Sequence, residues 1–309
     1  MAFTYPPAAP SFDGDSLKIH RFLQNPTLVA KRVQDLLQRR YIADVLLNQR
    51  LSVQGGAVVY ESGEPLGTDE HPRAVAPGSE FPLVSLGSGT PSVARTTKWG
   101  QDAEVTDEAI KRLGINPVNR GLTKLANQNV MHVDGLAMSA ISSAVTTTKP
   151  LATAVKDMTA EQILTEVLTA KAQIVNLEEG YDPDTVALDA MSYAFIKAKF
   201  IAAGYLPREG AANAIKTGDF PTVEGMLWLP TPHGVPGEIV VADTEQLGGM
   251  ADEDLGSPGY VRSSAPGTAP VEVKTIRKDE NDMYRMRARR VTVPVVLEPR
   301  AALRLTGAV

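Results

Sequence analysis

The sequence predicts an α+β fold, and three features of the chain lead to that prediction. Residues 116–145 carry apolar side chains mostly three or four positions apart, which is the spacing of an amphipathic α-helix. Residues 51–101 and 271–305 alternate short apolar runs with turn residues, a pattern typical of strands. Residues 151–265 mix helical and strand-like patterns, so we expect an α+β body of their own there.

The first third of the chain predicts an arm, a helix and a hairpin. Residues 1–24 are rich in proline and alanine and predict an extended arm, and a helical pattern then runs from Asn25-Pro26 to Leu46. Three strands separated by glycine and proline turns follow: Val53–Tyr60, Phe81–Ser85 and Ser92–Trp99. This region has too few large apolar side chains to form a core, so the hairpin should project from the rest of the molecule.

Two helices are predicted next. Thr106 begins a short helix that should end at Gly114. The long helix then starts with Asn116 as its N-cap and Pro117 in the first helical position, where a missing N–H costs nothing. The β-branched residues at 146–148, followed by a proline, should end it.

The remaining part of the chain alternates helices and strands. Thr159 and Gln162 form a capping box that should begin one helix, and Asp189 should cap a second helix over Ala190–Ala203. Strands are predicted at Thr185–Leu188, Met226–Leu229, Glu238–Ala242, Val271–Ile276, Met283–Leu297 and Ala301–Leu305. In the longest of these, positions 285, 287 and 289 are arginine and positions 291, 293 and 295 are valine. The strand should therefore pass from exposed to buried surroundings, with Pro294 favouring an edge or a bulge.

Composition excludes several functional classes. The chain has no cysteine, so it has neither a disulfide framework nor a thiolate nucleophile. The net charge of −5 argues against a dedicated sequence-specific nucleic-acid-binding protein, and no apolar run approaches the ~18 residues of a membrane span. Residues 151–265 hold 17 acidic and 7 basic side chains, which suggests two bodies that face different surroundings.

The sequence offers no pattern that indicates catalysis. The four histidines lie far apart, and the chain has no nucleophile elbow, no dinucleotide fingerprint and no P-loop. Asp182 and Asp184 flank a proline and are more typical of a turn than of a metal site, and the acidic run at 252–254 lacks the glycine and terminal glutamate of a calcium loop. We therefore predict no catalytic, cofactor-binding or metal-ligating residue, and a protein that is not an enzyme.

The order of these pieces resembles one known family. An N-terminal arm and a two-stranded loop lead into Lys98-Trp99-Gly100 and then Glu104-Val105-Thr106-Asp107-Glu108-Ala109. The long helix, the mixed body and a terminal Val-Thr-Val-Pro-Val-Val-Leu-Glu-Pro-Arg-Ala-Ala segment follow. This arrangement is similar to the major capsid proteins of tailed double-stranded DNA bacteriophages, which have the Hong Kong 97-type fold. The similarity covers about residues 30–307 and depends on order and spacing more than on any single motif.

The resemblance implies a division of the chain into the parts of that fold, in which the long helix is the spine helix. The expected parts are an N-arm at 1–33, P-domain segments at 34–51, 98–150 and 266–297, an extended loop at 52–97, an A-domain at 151–265, and a C-terminal strand at 298–309 that joins the A-domain.

The resemblance also implies a structural function. Copies would assemble into hexamers and pentamers of an icosahedral head in the bacterial host cytoplasm, around double-stranded DNA contacted non-specifically, with no membrane involved. A portal and a decoration protein are possible partners, and because Met1 stands almost directly before the arm, we expect any scaffolding protein to be separate. The alternatives are an encapsulin-like nanocompartment and, from another class, an enzyme built on residues 151–265.

Specific residues follow from the comparison with the family. The founding member crosslinks a loop lysine to a neighbouring asparagine, but no lysine occurs here between Lys31 and Lys98. Non-covalent contacts should then hold neighbours together, with Glu70, Arg73 and Glu80 on the loop facing Arg285, Arg287 or Arg289. Gly121 and Gly135 are candidate bending points, because the family's spine helix bends in the precursor shell.

Overall fold

The computed structural model describes residues 16–37, 41–53, 55–63, 71–83, 88–205, 222–262 and 270–308. Its α-helices are α1 Ser16–Gln24, α2 Pro26–Leu37, α3 Ala43–Leu46, α4 Asp107–Leu113, α5 Asn116–Ala144, α6 Ala160–Val175 and α7 Ala190–Ala203. Its strands are β1 Gln49–Ser52, β2 Ala57–Ser62, β3 Thr90–Arg95, β4 Thr97–Thr106, β5 Thr148–Pro150, β6 Thr185–Asp189, β7 Leu227–Thr231, β8 Glu238–Ala242, β9 Gly248–Asp252, β10 Val261–Arg262, β11 Glu272–Lys278, β12 Met283–Val296 and β13 Ala302–Thr306. The α+β prediction is confirmed.

The chain forms two compact units, each made of several segments. The first unit comprises Met1–Tyr41, Thr96–Val133 and Asp252–Thr292, and the second comprises Ile42–Arg95, Asp134–Ala251 and Val293–Val309. Helix α5 and strand β12 are each shared between the two units, because the boundaries fall inside them. The named domain boundaries of the resemblance stay predictions.

In the first unit, β12 is the strand on which the others assemble. It pairs antiparallel with β4 on one side and with β11 on the other, and β10 pairs with β11. Successive side chains of a strand point to opposite faces, so the even-numbered residues of β12 share one face and the odd-numbered residues share the other. Tyr284, Met286 and Ala288 are buried on the even face, where helices cover the sheet.

The second unit has its core between two helices and a five-stranded sheet. The strand order in this sheet is β5-β13-β8-β6-β7. Helices α6 and α7 bury Ile163, Val167, Ile196 and Phe200 in a cluster with the apolar side chains of the strands. The predicted capping box of α6 is present, and Asp189 caps α7 by accepting hydrogen bonds from the N–H groups of Met191 and Ser192. Both helix starts were predicted correctly.

The hairpin of β2 and β3 belongs to the second unit and shows two unlike faces. Val58, Tyr60 and Ala94 pack against a small cluster of Val53, Ala251 and Val295. On the opposite face Val59 and Val93 stand directly across from each other and are 74% and 63% exposed. The turn before β2 uses Gly55 and Gly56, both with positive φ. The strand predicted over Val53–Tyr60 therefore begins only at Ala57, as β2, and β1 precedes the predicted range.

Several predictions of secondary structure were wrong. Residues 16–24 form helix α1 rather than an extended arm, since Ile19, Phe22 and Leu23 make an apolar stripe that is buried in the first unit. The helical pattern that began at Asn25 is divided into α2 and α3. Phe81–Leu83 is not a strand, and the rest of that predicted strand lies outside the described residues. Strand β9 was not predicted at all.

Candidate functional site

The odd-numbered face of β12 carries a row of ion pairs. Arg285 stands opposite Glu104 of β4, and its Nη2 donates to Glu104 Oε1 at 2.5 Å. Arg287 stands opposite Asp102, and its Nε and Nη2 donate to the two carboxylate oxygens at 2.6 and 2.7 Å. Two parallel hydrogen bonds to one carboxylate are the strongest form of this interaction. The register of β4 and β12 therefore brings each arginine to an acidic partner far away in sequence.

The hydrogen bonds from Arg287 and its positive charge lower the pKa of the Asp102 carboxyl, and the charge of Arg285 adds to the effect. Burial acts in the opposite direction but does not cancel the lowering. The carboxylate thus stays ionised well into the acid range.

Arg289 extends the row into buried surroundings. It is 6% exposed, and its Nε donates to Glu272 Oε2 at 2.6 Å; Glu272 is 4% exposed. The ring of Tyr260 lies against the guanidinium, with 3.6 Å between Cζ and the ring centroid, a cation–π contact. A buried ion pair of this kind stabilises little in itself, but removing one partner leaves an uncompensated charge at a cost of about 3–5 kcal/mol.

Long helix α5 packs closely on the even-numbered face of the sheet. A Cβ added at Gly121 would lie 2.9 Å from Met286 Cε and 3.4 Å from Ala103 Cβ, so glycine is what allows this close approach. Further along the helix, the His132 ring packs against Trp99 with ring centroids 4.2 Å apart and the ring planes tilted by 60°. Gly121 therefore has a packing role, since the helix could not lie so near the sheet with a larger side chain there.

The other glycine of the helix has open space around it. A Cβ added at Gly135 would meet no atom within 4 Å. The boundary between the two units falls between Val133 and Asp134, just before this glycine. The two glycines that the sequence analysis grouped together thus have different surroundings.

The loop residues selected from the sequence are partly described. Arg73 and Glu80 are exposed, and Glu70 lies outside the described residues. Between β2 and β3, Phe81 and Leu83 are 77% and 94% exposed. These two side chains are not among the site residues predicted from the sequence, although large apolar residues in a Pro- and Gly-rich stretch are a signal of a contact surface.

The acidic groups considered as metal sites hold the chain's own structure together. Asp184 accepts hydrogen bonds from the N–H and hydroxyl of Thr244, and Asp182 pairs with Lys171. Asp252 binds the buried Arg290 through both carboxylate oxygens, at 2.8 and 2.9 Å. Within the described ranges, no group of three or more histidine or acidic residues is arranged to hold a metal ion, and no helix is long and apolar enough to span a membrane.

Comparison with known protein families decides the identity. The sequence model described as phage capsid protein matches residues 89–305, which include β4, α5 and β12. The chain belongs to the phage capsid protein family. No curated protein sequence matches it.

Solved structures with the same fold support this membership. A capsid structure of cyanophage P-SCSP1u aligns with a TM-score of 0.59 at 13% identity, covering 86% of this chain and 88% of that one. A phage-related protein from Bordetella bronchiseptica RB50 aligns with a TM-score of 0.57 at 11% identity, covering 91% and 97%. An encapsulin complex from Synechococcus elongatus PCC 7942 aligns with a TM-score of 0.55 at 12% identity, covering 88% of each chain.

The family and the fold agree with the resemblance seen in the sequence. The chain is a major capsid protein with the Hong Kong 97-type fold, and the family is one of structural proteins that form the virion capsid.

Proposed function

We propose that this capsid protein assembles, in the bacterial host cytoplasm, into hexamers and pentamers of an icosahedral phage head that encloses double-stranded DNA, and that it has no enzymatic activity. The observation that carries the proposal is the hairpin of β2 and β3. Its outer face and the stretch after β2 expose Val59, Val93, Phe81 and Leu83, and no other part of the described subunit covers them. Large apolar side chains that the described part of the subunit leaves exposed gain burial from another molecule, and a neighbouring copy is the partner that a shell provides.

The three arginines of β12 at positions 285, 287 and 289, here called the arginine row, are not equally able to pair with the loop of a neighbour. The side chains of Arg285 and Arg287 are 33% and 37% exposed, so a neighbour's Glu80 can still reach them beside their own carboxylates. Arg289 is buried with Glu272, which makes it the weakest of the three candidates. Exposed pairs of this kind add about 0–1 kcal/mol each, so the apolar contacts should supply most of the binding.

Replacing the loop tests the proposal. A variant with residues 63–87 exchanged for a short Gly/Ser turn should stay soluble, keep its helicity and melt cooperatively, but form no shells in electron micrographs. The reason is that a stable interface buries ~1,600 Å² in total, and this variant loses one side of such an interface. A milder variant, Phe81→Ser with Leu83→Ser, should weaken assembly in the same direction. Closed shells from the loop-replaced protein would contradict the proposal, and an unfolded product would place the loop in the subunit's own core.

A nanocompartment that encloses a protein cargo is the second candidate, since an encapsulin has a comparable fold similarity. The content of purified particles separates the two functions: a phage head should hold nuclease-protected duplex DNA, and a nanocompartment should hold a second protein. Co-expression with a scaffolding protein, a portal or a decoration protein would then identify the assembly partners.

A further inference from the structure

The helices of the first unit that carry most of its exposed lysines and arginines lie on one side of its sheet. Helix α1 reaches the even-numbered face of β12, where a hydrogen bond of 3.2 Å joins His20 Nδ1 and the Tyr284 hydroxyl. Helix α5 reaches the same face through Gly121, beside Met286. Helices α2 and α4 both pack against α1. We call this the helix side of the first unit, and the face with the arginine row the strand side.

The helix side is rich in exposed cations. Eight exposed basic residues lie on α1, α2, α4 and α5: Lys18, Arg21, Lys31, Arg32, Lys111, Arg112, Arg120 and Lys124. None of the eight side chains makes an ion pair or a hydrogen bond in the described part of the chain. Far fewer acidic residues occur on these helices, and one of them, Asp107, is bound by Arg277 through both carboxylate oxygens. The positive charge of this side is therefore largely uncompensated.

The strand side is also rich in arginine, but its arginines have carboxylate partners within the same chain. Arg285, Arg287 and Arg289 are each held by a carboxylate of the same chain, as described above. The two sides of one sheet thus differ in charge compensation: the three arginines of the strand side are held by carboxylates of the same chain, whereas the eight cations of the helix side are available to an outside anion.

Helix α5 shows this most clearly. Its part in the first unit, residues 116–133, contains Arg120 and Lys124 and no acidic residue at all. These two residues are four positions apart and both exposed, so they follow one another along one face of the helix. Duplex DNA carries one negative charge per ~1.7 Å of its axis, so a row of free cations along a rod suits it.

We propose that the helix side of the first unit is the surface that contacts packaged duplex DNA, through phosphate contacts that do not depend on base sequence. This inference rests on the proposed function, and it adds that the helix side faces the interior of the shell. The acidic surface of a second copy is the competing partner. Protein interfaces have a core depleted in lysine and rich in apolar side chains, however, whereas the cations here are spread over four helices. Spread cations without carboxylate partners are the footprint of nucleic-acid backbone binding.

The test compares matched pairs of substitutions in the full-length, unassembled protein. Arg120→Gln with Lys124→Gln removes two cations from the helix side. Lys98→Gln with Lys278→Gln removes two exposed cations at strand-side positions of β4 and β11, in the same unit. Binding to a fluorescent ~20-base-pair duplex is measured by anisotropy between ~50 and ~200 mM salt, the range over which phosphate-driven binding changes steeply. Lys111→Gln with Arg112→Gln is a second helix-side pair in case the first disturbs α5.

The helix-side variants should bind the duplex roughly 3–10-fold more weakly at about 100 mM salt. The slope of log affinity against log salt should become shallower by about 0.9 for each phosphate that the variant no longer neutralises. The strand-side variant should bind as the unmodified protein does. Equal weakening on both sides would overturn the inference, because net charge alone would then explain binding. An unmodified protein that does not bind the duplex would also overturn it.

Shell formation, scored separately by electron microscopy, keeps this test distinct from that of the proposed function. The helix-side variants should still form shells. A helix-side variant that keeps its DNA affinity but no longer assembles would overturn the inference in favour of an interface between copies. Failure of the unmodified protein to form any shell would count against the proposed function, whatever the result for DNA.

Discussion

Gly121 and Gly135 lie on the same helix, but their surroundings differ, so we expect alanine at the two positions to change the free energy of unfolding in different ways. The added methyl group at Gly135 meets nothing within 4 Å, so Gly135→Ala should raise the free energy of unfolding by about 0.5–1 kcal/mol through helix propensity. At Gly121 the same gain in helix propensity is opposed by a steric clash, because the added Cβ would lie 2.9 Å from Cε of the fully buried Met286. Gly121→Ala should therefore be neutral or destabilising, by up to about 2 kcal/mol. Urea unfolding of the unassembled subunit measures both.

The same pair of variants tests the proposed bending of the spine helix. Gly135 lies beside the point where the chain passes from the first unit to the second, so a stiffer helix there should change the stability of the precursor shell or its expansion. Gly121→Ala is the matched control, because it stiffens the helix at a position inside one unit. If Gly135→Ala shells form and expand as unmodified shells do, Gly135 is not a bending point.

At the scale of the element, the pairing of β4 with β12 should depend on pH through Asp102. Its pKa is lowered in the folded state, so the unfolded chain binds more protons in the acid range and stability rises with pH. This contribution is fully present above the unfolded pKa of about 3.9 and is lost as the pH falls through the lower folded value. It should be modest, because a partly exposed pair gives roughly 1 kcal/mol or less.

Unfolding of the unassembled subunit in urea between about pH 3 and pH 6 tests this dependence. Asp102→Asn should destabilise the protein at the upper end of this range and make its stability fall less steeply on acidification. Asp157→Asn is the control, because Asp157 is exposed and has no ion-pair partner in the described chain. If the free energy of unfolding of Asp102→Asn depends on pH as that of the unmodified protein does, the pairing of β4 with β12 does not depend on this carboxylate.

Elements with local signals could be predicted from the sequence, and those that depend on distant contacts could not. The capping box of α6 and the cap of α7 lie within a few residues of what they cap, and both were predicted correctly. Strand β9 was missed because Gly248 and Gly249 resemble a turn. They are glycines because a Cβ would lie 2.2 Å from Val295 O and 2.5 Å from Gln49 O, respectively.

The candidate site shows the same limit. The alternation of arginine and then valine along β12 predicted the passage from exposed to buried surroundings, which the burial of Val291 and Val295 confirms. The partners of the arginines were not predictable, since Asp102 and Arg287 are 185 positions apart and meet only through the register of two strands. Tyr260 and Glu272 were missed for the same reason.

At the scale of the whole molecule, the lack of cysteine in the chain and of lysine in the loop limits how neighbouring subunits can be joined covalently. The chain has no cysteine and no lysine between Lys31 and Lys98, so neither disulfides nor the loop lysine crosslink of the founding family member can form. Mature particles boiled in SDS without reductant should release a single band near 33.1 kDa. A ladder of multimers would show that another residue crosslinks the subunits.

Because β12 lies near the end of the chain, it is synthesised long after β4, the strand with which it pairs. Strand β4 leaves the ribosome about 180 residues before β12, the strand on which the first unit's sheet assembles, and at about 5–20 residues per second that interval is roughly 9–36 s. During this time β4 has no pairing partner and the row of Asp102 and Glu104 has no arginines. A chain that terminates before β12 therefore cannot complete the sheet of the first unit, and the order of translation makes the closing of this sheet a late step in the folding of the subunit.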